Sequence, residues 1–241
     1  MDKLIFTAVS GAERTLRGQQ VHANNLANIE TAGFRANLEV AATQALRGSG
    51  YDSRHMAKME ADTISTRSGA VRETGRALDV AVNGNGYLAV QYGEGEAYTR
   101  AGAIDIDANG ALSVHGHPLI GEGGPITLPP HQAVEIGLDG TISVLTEGAT
   151  AMQAIDKLRL VNAEGAELTK NEAGLIVSRR GDPLEADANV TVRGGALEGS
   201  NVSAVEEMVA VMSLNRSFEI QMKLFKASDS MNEVGNKLIG A

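Results

Sequence analysis

The apolar residues of the chain change their period twice, and this change limits the folds that the chain can adopt. In the first 26 residues they recur at alternating spacings of four and three, which keeps one stripe of a helix facing a partner. Between about residues 77 and 195 they alternate with a period of two, and over 205–238 the helical period returns. The sequence therefore predicts two long terminal helices that flank a β-rich segment.

Turn residues divide the β-rich segment into short strands. Asn-Gly between alternating apolar runs is the strongest short signal for a hairpin. Hairpins are predicted at 78–90 around Gly84-Asn85-Gly86, at 104–114 around Asn109-Gly110 and at 134–144 around Asp139-Gly140, with further strands at 158–161 and 175–177. Together they predict a compact antiparallel β module.

Two apolar stripes run along the C-terminal helical segment, which opens with a capping-box pattern at Ser203 and Glu206. The first stripe contains Met208, Val211, Asn215, Phe218, Met222 and Phe225. The second is rotated and contains Ile220, Leu224, Ala227, Met231, Val234 and Leu238. One N-terminal helix cannot cover both stripes, so we expect one to pack within the chain and the other against another chain.

The predicted fold class is α+β. Residues 1–34 and 201–241 are expected to form one helical domain with coiled-coil-like packing, 35–76 an extended connecting segment, and 77–197 an antiparallel β domain. A short helix is expected in the connecting segment, at 38–46. Because the helices lack a core of their own beside a self-sufficient β module, we expect them to find one in other chains.

Charge and composition exclude several classes of protein. The formal net charge is −9 and no run of Lys or Arg occurs, which argues against a nucleic acid partner. The chain has no cysteine, which excludes disulfides and thiolate metal sites. No apolar run approaches the roughly 18 residues of a membrane span, so no direct membrane insertion is expected. Residues 3–12 imitate a signal peptide only weakly, and we expect no cleaved signal.

Three short patterns indicate chemistry and have simpler explanations. Asp105-x-Asp107-x-Asn109-Gly110 matches the start of a calcium loop, but Gly116 stands where that loop needs a bidentate Glu, so a hairpin turn is favoured. His115 and His117 would share a strand face, yet no third ligand is in view. No nucleophile motif or nucleotide cradle is present. We therefore expect no metal site, no cofactor and no catalysis.

Stretches at both ends and in the middle resemble the signatures of flagellar rod, hook and hook-associated proteins. The N-terminal stretch is 24–35, Asn-Asn-Leu-Ala-Asn-Ile-Glu-Thr-Ala-Gly-Phe-Arg, and the C-terminal one is 197–208, Leu-Glu-Gly-Ser-Asn-Val-Ser-Ala-Val-Glu-Glu-Met, followed by 216–219, Arg-Ser-Phe-Glu. The middle stretches are 78–87, 98–102 and 116–126. The last of these and the short length favour a proximal rod subunit over a distal one. Many relatives carry Pro where this chain has Ala32, which implies a less rigid turn.

The resemblance implies an axial subunit that stacks helically in the periplasm-spanning rod of the basal body and transmits motor torque for motility. It also implies export through the flagellar type III apparatus, and as partners further copies of the chain and subunits of the FlgB, FlgC and FlgG types. The expected axial interface consists of Ile5, Val9, Leu16, Leu26, Asn28, Thr31, Gly33, Phe34, Val205, Met208, Val211, Phe218, Met222, Phe225, Met231 and Leu238. Gly33 is also expected to adopt positive φ.

Other functions remain open at this point. Within the same family, the chain could be a distal rod or a hook-type axial protein. From a different class, it could be a soluble calcium- or glycan-binding β module, which would predict a monomer whose melting temperature shifts with ligand. An enzyme would predict a deep pocket that holds titratable groups with shifted pKa values.

Overall fold

The structure, a computed structural model, describes residues 2–45 and 55–239, except the side chains of 2–4, 41, 58–62, 236, 238 and 239. Packing divides the chain into two compact units. The helical unit contains Met1–Ala27, Asn37–Asp62 and Ser203–Ala241, and the β unit contains Asn28–Ala36 and Thr63–Val202. The sequence-based division instead placed 28–34 with the helices and left 35–76 as a separate connection.

The helical unit is built on α1 (Asp2–Ala27) and α2 (Ala204–Ile239), the two segments with helical period. Strands β1 (Asn37–Ala45) and β2 (His55–Ile64) form a two-stranded sheet, and the last two residues of β2 belong to the β unit. The short helix expected at 38–46 is therefore wrong over 38–45, and Leu46 lies outside the described residues. Val40 and Thr43 favour extended backbone, and pairing with β2 decides the outcome.

The β unit consists of many short strands and one turn of 3₁₀ helix at Gly165–Glu167. The strands before residue 130 are β3 (Val71–Glu73), β4 (Val80–Val82), β5 (Gly86–Tyr92), β6 (Gly95–Thr99), β7 (Ile104–Ile106), β8 (Leu112–Val114), β9 (His117–Pro118), β10 (Ile120–Gly121) and β11 (Gly124–Pro125). Those that follow are β12 (His131–Ile136), β13 (Thr141–Thr146), β14 (Gln153–Lys157), β15 (Leu160–Asn162), β16 (Leu168–Lys170), β17 (Ile176–Ser178), β18 (Val192–Gly194) and β19 (Ala196–Glu198).

A five-stranded antiparallel sheet in the order β15-β5-β6-β17-β16 separates two apolar clusters. Along β5, Leu88 and Val90 belong to the larger cluster, whereas Tyr87 and Ala89 belong to the smaller one. Successive side chains of a strand point to opposite faces, so this sheet is covered on both sides. Three-stranded sheets β7-β8-β9 and β12-β13-β14 and the pairs β10-β11, β18-β4 and β19-β3 complete the unit.

Two of the three predicted hairpins are confirmed. Strands β7 and β8 pair with Ile106 opposite Leu112, and β12 and β13 pair with Ile136 opposite Ile142. The first predicted hairpin is wrong, because β4 pairs with the distant β18, while β5 pairs with β6 and β15. Gly84 does turn the chain, with φ of 66°, but the strands on its two sides enter different sheets.

Candidate functional site

The N-terminal signature forms a compact turn directly after α1. The backbone N–H of Thr31 donates to the carbonyl of Asn28 at 3.2 Å, and that of Phe34 donates to the carbonyl of Thr31 at 3.2 Å. Gly33 adopts φ of 68°, which confirms the expected left-handed backbone, and its N–H donates to the carbonyl of Glu198 at 2.8 Å. A side chain at Gly33 would overlap the backbone of Arg100 and Ala101. Glycine is therefore required for two independent reasons.

A buried cluster of charges lies beside this turn. Nη2 of Arg35 lies 2.9 Å from Oε1 of Glu198, and Nε of Arg100 lies 3.1 Å from Oε2 of the same carboxylate. The Arg100 guanidinium also donates to the carbonyls of Gly86 and Gly84, at 2.6 and 2.5 Å. Burial lowers the pKa of Arg100 to about 10, which leaves it charged at neutral pH. Two cations therefore share one carboxylate, an arrangement that depends on every partner being present.

Lys170 holds the other side of the turn. Its Nζ lies 3.6 Å from the centre of the Phe34 ring and donates to the carbonyl of Arg35 at 2.7 Å. A cation over an aromatic face is attracted by the ring quadrupole. Burial opposes the charge and lowers the pKa of Lys170 to about 8. Phe34 thus packs locally, with the Lys170 cation against its ring.

The C-terminal signature contacts the N-terminal one within the β unit. The carboxamide of Asn201 accepts from the N–H of Ala36 at 2.7 Å and donates to the carbonyl of Arg67 at 2.8 Å, while its own N–H donates to the carbonyl of Phe34 at 3.2 Å. Glu198 belongs to the same signature. Two motifs from opposite ends of the chain are therefore joined by hydrogen bonds and an ion pair.

Small and polar residues are buried in the helical unit, where a sequence pattern would predict apolar ones. The buried residues of α1 and α2 are Ala8, Ser10, Thr15, Gly18, Asn25, Glu207 and Ser228. Polar contacts between the helices join Thr15 Oγ1 to Gln221 Oε1 at 3.4 Å, Gln19 Nε2 to Asn215 Oδ1 at 3.0 Å, Asn25 Nδ2 to Glu207 Oε1 at 3.2 Å, and His22 Nδ1 to Glu207 Oε2. We call these four contacts the polar ladder.

The residues expected at the axial interface differ in exposure. The exposed ones are Val9, Leu16, Val205, Met208, Met222, Phe225 and Met231, whereas Ile5, Leu26, Asn28, Thr31, Phe34, Val211 and Phe218 are partly buried and Gly33 is buried. The side chain of Leu238 lies outside the described residues. The expected list missed Phe6, Val209 and Met212, which are exposed at 65%, 60% and 70%. Each is a large apolar residue within a segment of helical period, and this was the sequence signal that could have placed them in the expected list.

The expected list also lacks Arg35, Arg100, Glu198 and Asn201, whose ion pairs and hydrogen bonds lie beside the signature turn. Each stands inside a stretch that resembles the family signatures, so a charged or amide side chain within a signature was the available signal. Spacing alone could not find them, because none of the four is close to another in sequence except Glu198 and Asn201.

Patterns that suggested metal binding have structural roles. Oδ1 of Asp107 accepts from the N–H groups of Asn109 and Ala111, at 2.8 and 2.7 Å, as a turn-forming carboxylate does. His115 lies in a turn with φ of 51°, while His117 lies in β9, so the shared strand face expected for them is wrong. Among residues 2–45 and 55–239, no group of three potential metal ligands lies close together.

Within the same residues, no helix is long and apolar enough to cross a membrane.

Three family models match separate parts of the chain. The flagella basal body rod protein model matches residues 5–35, which include the signature turn. The flagellar hook protein FlgE/F/G D1 domain matches 81–144, and the flagellar basal body rod FlgEFG protein C-terminal model matches 193–238. The two terminal matches contain both partners of the Arg35–Glu198 ion pair.

Individual relatives agree with these models. The chain is 39% identical to the flagellar basal-body rod protein FlgF of Escherichia coli, over 99% of this chain and 99% of the relative. It is also 39% identical, over the same shares, to FlgF of Salmonella typhimurium. Identity to the flagellar basal-body rod protein FlgG of Buchnera aphidicola subsp. Schizaphis graminum is 32%, over 94% of this chain and 96% of the relative. By these identities and coverages, the chain belongs to the FlgF family of flagellar basal-body rod proteins.

Proposed function

We propose that this chain, a structural subunit of the flagellar rod, occupies the proximal part of the rod, stacks there helically and transmits motor torque for motility. Its neighbours are further copies of the chain and subunits of the FlgB, FlgC and FlgG types. It reaches the periplasm-spanning rod through the flagellar type III export apparatus without a cleaved signal. Its role requires no catalysis.

The observation that supports this proposal is the outward position of large apolar side chains on the helical unit. Met212, Val209 and Phe6 are more than half exposed, whereas the hydrogen-bonded contacts between α1 and α2 join polar groups. A monomer gains nothing from exposing a row of such side chains, and contiguous apolar surface marks interaction sites. Helices of other subunits can cover this surface and supply the missing apolar core.

The axial interface that we propose combines both helices with the signature turn. The outward residues Val9, Leu16, Val205, Met208, Met222, Phe225 and Met231 contact other subunits directly, with coiled-coil-like packing. Gly33 and Phe34 act indirectly, by holding the turn after α1 in one conformation. The β unit stabilises that turn through Glu198 and Lys170.

The competing proposal is that the chain is a subunit of the distal part of the rod, because an FlgG protein is 32% identical over 94% of the chain. The two positions differ in the neighbours that the subunit contacts. Cross-linking of assembled rods, followed by mass spectrometry, tests the choice. Cross-links to subunits of the FlgB or FlgC type support a proximal position, and cross-links only to FlgG-type and hook subunits contradict it.

The assembly role itself is tested by removing the outward apolar surface. The apolar variant combines Val209→Ser, Met212→Ser and Ile220→Ser. It is compared with a control variant that combines Ser213→Ala, Glu219→Ala and Lys226→Ala at exposed polar positions of the same helix. In cells that lack the natural subunit, the control restores swimming, whereas the apolar variant is exported but absent from isolated basal bodies. Normal incorporation of the apolar variant would contradict the proposal.

A further inference from the structure

Contacts between α1 and α2 repeat every seven residues in one antiparallel register. Gly11, Gly18 and Asn25 are each seven residues apart on α1, and they face Gln221, Leu214 and Glu207, which are each seven apart on α2. A Cβ atom at Gly11 would lie 2.9 Å from Nε2 of Gln221, and one at Gly18 would lie 3.1 Å from Cδ1 of Leu214. The two glycines therefore provide the space into which α2 side chains fit.

The polar ladder follows the same register. Thr15, Gln19, His22 and Asn25 are three or four residues apart, so they lie along one face of α1. Each contacts a polar group of α2. Asn25 is further held by the backbone of Asn37, whose N–H donates to Oδ1 at 2.8 Å and whose carbonyl accepts from Nδ2 at 3.0 Å. Hydrogen bonds of this kind depend on orientation, which apolar contacts do not.

The sequence of α1 also permits a second orientation of this helix relative to α2. The apolar stripe of Ile5, Val9, Leu16 and Leu26 lies one residue further along than the face that carries Ala8, Thr15 and Asn25. Rotating α1 by about 100° about its axis would therefore bring the apolar stripe against α2. That rotation would bury more apolar surface within the chain. It would also break the polar ladder and leave the buried Asn25 and Glu207 without their partners.

We propose that the polar ladder is an orientation key, which keeps Val9 and Leu16, the exposed members of the apolar stripe of α1, turned away from α2 and available to another subunit. Buried polar residues in helical interfaces specify one arrangement at some cost in stability. The orientation key is a property of the single folded chain and goes beyond the proposed assembly role. Only one part of the inference rests on that role, namely that another subunit binds the outward-facing residues.

Pairs of cysteines in the full chain report the orientation, because the chain has no natural cysteine. Ala8 and Ser228 are both buried and lie one heptad beyond the Thr15–Gln221 contact on their respective helices. The pair Ala8→Cys with Ser228→Cys therefore reports the observed orientation. The pair Val9→Cys with Ser228→Cys reports the rotated one, because Val9 belongs to the apolar stripe. Disulfides form only where the two Cα atoms come within about 7 Å.

Both pairs are oxidised in the purified chain in three backgrounds. The first has the natural ladder. The second removes the α2 side of the ladder by Glu207→Leu, Asn215→Leu and Gln221→Leu. The third is a matched control with Ser213→Leu, Glu219→Leu and Ser230→Leu, which places the same number of leucines at exposed positions of α2 and also removes one carboxylate. Disulfide formation is followed by mass spectrometry, and helix content by circular dichroism.

With the ladder intact, we expect the disulfide at 8 and 228 to form about tenfold faster than that at 9 and 228. The control keeps this ratio. Without the ladder the ratio falls to about one or below, while helix content stays unchanged. An unchanged ratio in the second background would overturn the proposal. Because the measurement uses the free chain, its outcome is independent of whether the chain assembles in a rod.

If the three leucine substitutions on α2 unfold the helices, substitutions at Glu207 alone test the proposal. Glu207→Gln keeps an acceptor for Asn25 and a partner for His22, whereas Glu207→Leu removes both. The proposal expects the disulfide ratio to fall only in Glu207→Leu. Equal ratios in these two variants would overturn it.

Discussion

Arg35 and Glu198 form an ion pair at 2.9 Å in the interior of the β unit, and each side chain is 2% exposed. The pair joins the turn that follows the first helix to the strand that precedes the second. Arg100 uses the other oxygen of the same carboxylate. The two signatures therefore constrain each other through one buried group.

Glu198→Ala should destabilise the chain by about 3 to 5 kcal/mol, because it leaves two buried guanidinium groups without a carboxylate. The measurement is urea unfolding followed by circular dichroism. Glu73→Ala is a suitable control, since Glu73 pairs with Arg193 at the surface, where an ion pair contributes about 0 to 1 kcal/mol. Equal effects of the two substitutions would show that the buried pair has no special role.

Gly33→Ala should cost more stability than Gly75→Ala. Both glycines have similar φ, 68° and 72°, so both substitutions incur the strain of left-handed backbone, about 1 to 2 kcal/mol. Gly33 also faces backbone atoms that a Cβ would overlap, whereas at Gly75 no atom of the described residues lies within 4 Å of that position. Unfolding midpoints compare the two, and Gly33→Val should also abolish swimming. Equal midpoints would place the constraint in φ alone.

The free energy of unfolding should rise with pH between about 8 and 9.5 because of Lys170. Its pKa is lowered to about 8 in the folded chain, against an ordinary value of 10.5, so the unfolded state holds more protons across this window. The folded state is then favoured as pH rises. Lys170→Met keeps an unbranched chain over Phe34 and should abolish the rise. A rise that persists in Lys170→Met would assign it to another group.

Phe218→Ala and Phe225→Ala should have little effect on the melting temperature of the free chain and should abolish swimming. Both side chains are only partly covered in the helical unit, so the cost of about 3 to 5 kcal/mol for a fully buried phenylalanine applies only in the rod. Export of each variant is checked in the periplasmic fraction and in the culture medium. A large loss of stability in the free chain would place these aromatic residues in its own core.

A fragment of residues 63–202 should fold and melt cooperatively. Every residue of the two apolar clusters falls within this range. A shorter fragment, 70–197, should be less stable, because it lacks Ile64 of the smaller cluster and the Glu198 carboxylate that Arg100 requires. Calorimetry compares the two fragments. Equal melting temperatures would mean that neither Ile64 nor Glu198 contributes much to the stability of the fragment.

Features that depend on a few neighbouring residues were predictable. The turns at Asn109-Gly110 and Asp139-Gly140 produce the expected hairpins, and Gly33 has the expected positive φ. Both helices occupy the segments with helical period, and α2 begins at Ala204, directly after Ser203. In each case the deciding energies are local, since they come from backbone sterics, turn geometry and capping.

Features that depend on a choice of partner were decided only by the tertiary structure. An apolar stripe shows that a face of α1 is to be covered, but not by what, and the face that meets α2 carries Ala8, Thr15 and Asn25 instead. Strand β4 lies within the segment predicted to be β-rich, yet all three of its residues are buried and it pairs with β18, not with its neighbour β5. The period of the apolar residues indicates which face of an element is buried. The pairing of strands and the orientation of helices follow instead from packing and hydrogen bonds between residues far apart in sequence. The Arg35–Glu198 pair has the same origin: both residues belong to the β unit but stand far apart in sequence, so only the tertiary structure brings them together.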